Sequence, residues 1–93
     1  MTTKFRITAT APTSYQYQSL ANFGKPEKLG NGSFRFQQDF ETEEEAKKYL
    51  IERAEGYYDD NMTAFEQAEK EINDFGQVTL DAVTGYIEEI EGE

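Results

Sequence analysis

The chain contains neither cysteine nor histidine. Without cysteine there is no disulfide, no thiolate nucleophile and no zinc-thiolate site. Without histidine the usual general base near neutral pH is gone, as is the commonest transition-metal ligand. Long apolar runs are missing too, and a membrane-spanning helix needs roughly 20 such residues. The first six residues, Met1 to Arg6, are followed by no apolar segment. No signal peptide is therefore expected, and the default location is cytoplasmic. Gly30 and Gly32 lack the strand before, the helix after and the lysine-hydroxyl partner of a phosphate loop. Ser14, Ser19 and Ser33 have no histidine to activate them. These absences predict a chain that is not an enzyme and that carries no cofactor and no metal. Lysine, tyrosine or carboxylate chemistry, such as a glycosidase-type pair among nineteen acids, stays open.

Basic residues are few. Nine stand against nineteen acids, for a net charge of −10. The imbalance is uneven. Residues 1–38 hold five basic residues against Glu27 alone, and residues 39–93 hold four against eighteen acids. An acidic half of this kind repels nucleic acid and membranes and attracts basic protein surfaces.

Ninety-three residues make one domain, because two cores would each be too small to stand alone. Seven Phe and six Tyr suffice for one core. Lys4 to Ala11 alternates, with Phe5, Ile7, Ala9 and Ala11 on one face, which predicts a half-buried strand ended by Pro12. Residues 13–32 read as an irregular connection with apolar anchors at Tyr15, Tyr17, Leu20, Phe23 and Leu29. Ser14 to Ser19 fits a short strand, and Ser14 to Phe23 fits a helical turn or two. Asn31-Gly32 signals a turn, with Lys28 to Gly30 as a short first arm. Ser33 to Phe40 predicts a strand with Phe34, Phe36 and Phe40 on one face, central beneath the helices.

Thr42 with Glu45 forms a capping-box pattern, and Glu43 and Glu44 suit the first turn of a helix. Ala46, Tyr49, Leu50, Ala54 and Tyr57 mark its apolar stripe. A break over Glu55 to Asn61 leads to a second helix, for which Thr63 and Glu66 are a capping-box candidate. Its stripe is Met62, Phe65, Ala68, Ile72 and Phe75, with Gly76 as its C-terminal glycine. Val78 to Leu80 and Tyr86 to Ile90 then read as a hairpin around Asp81-Ala82-Val83-Thr84-Gly85, with strand plus helix as the alternative. This Asp-Ala-x-Thr-Gly turn resembles a hairpin found after a helix in PepSY-type domains. Residues 91–93 are expected to fray. The expected fold is α+β: an antiparallel sheet of about four strands, in the order β-β-α-α-β-β, with two helices on one face.

Asp59-Asp60-Asn61-Met62-Thr63 begins like a calcium loop, but the required glycine and bidentate glutamate positions hold Ala64 and Lys70. Asn31-Gly32-Ser33 and Asn61-Met62-Thr63 match the glycosylation pattern by chance, since no secretory signal is read. In size and composition the chain resembles the small acidic inhibitors of phages and mobile elements, such as anti-CRISPR proteins. That resemblance implies an inhibitor or nucleic-acid mimic acting on a basic partner protein. The candidate contact residues are Tyr57, Tyr58, Asp59, Asp60, Glu66, Glu69, Asp74, Glu88, Glu89 and Glu91, with the two tyrosines as anchors. In the plain alternative these acids serve solubility only. A second reading places Lys4, Arg6, Lys25, Lys28 and Arg35 with Tyr15 and Tyr17 on a basic sheet face that stacks single-stranded nucleic acid. The chain is expected to be a monomer, or a weak dimer through an exposed edge at Tyr86–Ile90.

Overall fold

The computed structural model describes residues 2–11 and 17–92. The elements run β1 (Thr2–Ala11), α1 (Tyr17–Leu20), β2 (Glu27–Lys28), β3 (Phe34–Phe40), α2 (Glu43–Tyr57), α3 (Met62–Phe75), β4 (Gln77–Leu80) and β5 (Val83–Gly92). The strands form one antiparallel sheet in the order β2-β3-β1-β5-β4, with two main helices packed against it. The α+β class is as expected, with a fifth, two-residue strand added at the β3 edge. The middle strand of the five is β1, and β3 lies inside the sheet between β2 and β1. Alternation reveals a half-buried strand but carries no information on its place in the sheet.

One face of β1 is fully buried at Ile7, Ala9 and Ala11. It meets Leu50 and Ala54 of α2 and Ile72 of α3 in a single core, together with Leu20, Phe23, Val78, Leu80 and Val83. At the start of α2 the Thr42 hydroxyl oxygen accepts from the Glu45 amide at 3.1 Å. The reciprocal half of the box is different: the Thr42 hydroxyl donates to the Glu45 carboxylate at 3.1 Å. Gly76 closes α3 in the left-handed conformation, at φ 68°. Asn61, and not Thr63, caps α3, its side chain accepting from the Ala64 amide at 3.1 Å.

Two apolar stripes differ from expectation. Tyr58 continues the four-residue steps 46, 50, 54 and packs on the core, whereas Tyr57 is exposed. Met62 is 69% and Phe75 75% exposed. A step of three falls about 60° short of a full turn, so two such steps swing Met62 away from the Phe65–Ala68–Ile72 line. Phe75 stands in the last turn, just before β4 begins at Gln77.

The segment after residue 16 is tied down more firmly than its sequence suggests. Leu20 and Phe23 are fully buried. The Tyr49 hydroxyl donates to the Phe23 carbonyl at 2.6 Å. The Phe23 ring lies against Gly85, where an added Cβ would come within 2.5 Å of it. Gly85 therefore belongs inside β5, paired with Val78 and Ala9, and not in the hairpin turn. The turn is made by Asp81 and Ala82 alone, both at positive φ (51° and 71°), as a tight two-residue hairpin loop requires. Glu91 and Gly92 continue β5, paired with Thr3 and Thr2. The expectations for Pro12, Ser14, Tyr15 and Glu93 lie outside the described residues.

Candidate protein-binding surface

The ten candidate contacts fall into three places. Tyr57 ends α2, and Tyr58, Asp59 and Asp60 form the turn between α2 and α3. Glu66, Glu69 and Asp74 lie on α3. Glu88, Glu89 and Glu91 lie on β5 and do not share one face, because strand residues alternate. Glu88 pairs with Arg6 and accepts from the Thr8 hydroxyl at 3.2 Å on the sheet face opposite the helices. Glu89 pairs with Phe5, on the other face. Glu88 thus faces away from the helices that carry the candidates of the turn and α3.

The open face of the sheet is a row of matched charges. Arg6 donates to both oxygens of Asp39, at 2.7 and 3.2 Å. That contact holds the Asp39 carboxyl below the usual carboxylate range, against a smaller desolvation effect, and raises Arg6. Arg35 reaches Glu27 at 3.3 Å, and Lys4 stands 3.9 Å from Glu41. Thr8, only 4% exposed, links the row by accepting from Gln37 at 3.3 Å and donating to Glu88. Tyr17 is not on this face, since its ring meets Phe34 edge-on at 5.0 Å, on the helix side. Among the described residues, Tyr86, opposite Thr8, is an aromatic that does lie there. The edge expected at Tyr86–Ile90 is closed only at its start. Tyr86 pairs with Gln77 of β4, and the Ile87 amide donates to the Gly76 carbonyl at 2.7 Å. Among the described residues, no strand pairs with Glu88 to Ile90 on the side away from β1.

Two of the three basic residues on α2 are engaged as well. Lys47 lies 3.1 Å from Glu43 and donates to the Asn73 carbonyl at 3.2 Å, joining α2 to the end of α3. The Arg53 guanidinium sits 5.1 Å from the centre of the Tyr49 ring. Burial pushes the Tyr49 phenol up, and Arg53 partly opposes this.

The turn between the helices is arranged otherwise. Tyr58 ends α2 through its amide, which donates to the Ala54 carbonyl at 2.9 Å, and the Asn61 amide donates back to the Tyr58 carbonyl at 3.0 Å. The backbone is thereby fixed without using an acidic side chain. Tyr57 and Tyr58 meet edge-to-face at 4.7 Å. Burial pushes the Tyr58 phenol up, with smaller contributions from Tyr57 and Glu71. Beside them lies an open depression of about 400 Å³, lined by Glu55, Tyr58, Asp59, Asp60, Met62 and Phe65. No basic residue lines it, and the described ion pairs use none of its three acids. Sequence reasoning missed Met62 and Phe65 as part of this surface because it assigned both to the core.

Among the described residues no group of three acids is placed to hold a metal ion, and no helix is long and apolar enough to cross a membrane. No family model matches the chain, and neither a curated protein nor a solved structure matches it.

Proposed function

We propose that the chain is a non-enzymatic protein-binding module that docks on a basic partner surface through the α2–α3 turn and α3. The supporting observation is the contrast in pairing. Acids on the open sheet face have a cation or a hydroxyl beside them, whereas Glu55, Asp59 and Asp60 enter none of the described ion pairs. Unpaired carboxylates beside exposed aromatic and apolar side chains give both steering and contact area. The sharper form is an inhibitor of the phage or mobile-element kind, or a nucleic-acid mimic, that occupies a DNA-binding protein's basic groove. It rests on size and net charge. The test is capture from a cognate lysate at low salt, with bound proteins identified. A basic, DNA-binding partner released by salt and lost on Glu66→Lys/Glu69→Lys/Asp74→Lys supports the reading. No such partner, or capture indifferent to the reversals, refutes it.

A further inference from the structure

We propose that the depression at the α2–α3 turn receives an arginine side chain of the partner together with an apolar residue next to it in the partner's chain. This rests on the protein-binding reading above and assigns its point of contact. Three features of the depression support it.

First, the lining is of two kinds. Glu55, Asp59 and Asp60 are acidic, while Tyr58, Met62 and Phe65 supply an aromatic ring, a thioether and a second ring. A bare metal ion has no use for the apolar side, and the described acids do not converge as ligands would. Second, a guanidinium suits such a lining. It is planar, it stacks on an aromatic ring, and it forms paired hydrogen bonds with carboxylates spread around it. Third, the space of about 400 Å³ is of ligand-pocket size, and Met62 is 69% exposed, an unbranched and adaptable side chain left in water. An apolar neighbour of the arginine would cover it.

The test uses the full chain, isotope-labelled, titrated by NMR with two capped peptides of equal charge. One is Gly-Arg-Leu-Arg-Gly, and the other has glycine in place of leucine. The expected result is saturable shifts confined to residues 55–65, with the leucine peptide bound about tenfold more tightly, as one buried apolar side chain allows. Met62→Ala, at an exposed site, should remove that preference, bringing the two peptides to the same affinity. Asp59→Asn/Asp60→Asn should weaken both peptides. Equal binding of the two peptides, or shifts spread over α3 and β5, overturns the pocket and leaves docking on a basic surface intact. Displacement of the peptide by calcium, with matching shifts at Asp59 and Asp60, overturns it in favour of a cation site. No response to either peptide at low salt removes both proposals.

Discussion

The open sheet face and the α2–α3 turn both carry acidic side chains at the surface, and they treat them differently. On the sheet, Asp39, Arg6 and Glu88 stand side by side across β3, β1 and β5, with Arg6 bonded to Asp39 and opposite Glu88 in register. Thr8 bonds in turn to Glu88 and Gln37. In the turn, the backbone is held by Tyr58, Asn61 and Ala54, and the acids contribute nothing to it. Acidic residues that serve the fold and acidic residues left over from it can therefore be told apart by their partners. Net charge alone, −10 for the whole chain, does not separate them.

The most forceful way to break this contrast is Arg6→Glu. The substitution removes a cation flanked on both sides and puts three carboxylates in one cross-strand row, where like charges directly opposite are destabilising. A fall in Tm of several degrees is expected by calorimetry, partly recovered at high salt because the row is solvent-screened. An unchanged Tm would mean that the sheet charges are as idle as those of the turn.

Much of this contrast could be foreseen where the signal was local. The Thr42 cap, the left-handed Gly76 and the Asn31-Gly32 turn each lie within a few residues of what they control. Asp59 and Asp60 were likewise visible as acids in a break between helices. What escaped depends on distant partners. Phe23 is buried because Gly85, far along the chain, has no side chain, and nothing near Phe23 announces that. Gly85 was misplaced for the same reason: a glycine near a turn reads as part of the turn until the ring it accommodates is known. The order of strands and the splitting of Glu88 from Glu89 depend on sheet register, which no single stretch encodes.

A gentler test is Asp39→Asn. The pair with Arg6 is more than a third exposed, so its loss should cost below about 1 kcal/mol. The pH dependence is more telling than the size. The folded Asp39 carboxyl titrates below its unfolded counterpart. Its contribution is therefore complete above the unfolded value, at about pH 4, and is lost as pH falls through the lower folded value. The difference between wild type and Asp39→Asn, followed by urea unfolding, should be constant near neutrality and shrink to nothing in acid. A difference that persists in acid would show that the side chain acts by packing and not by charge.

The smallest effect is expected at the other pole, in Asp59→Asn/Asp60→Asn. Both residues follow the C-terminus of α2, whose carbonyl end disfavours negative charge, and both precede the N-terminus of α3, whose amide end favours it. The two influences oppose one another over the same few residues. With neither acid in a described ion pair and Asn61 providing the cap, neutralising both should move stability by no more than about 0.5 kcal/mol, in the range of ordinary surface changes. Urea unfolding beside the wild type measures this directly. A loss above about 1 kcal/mol, the usual worth of a helix cap, would make these acids part of the fold, and the turn would then have no surplus charge to offer a partner.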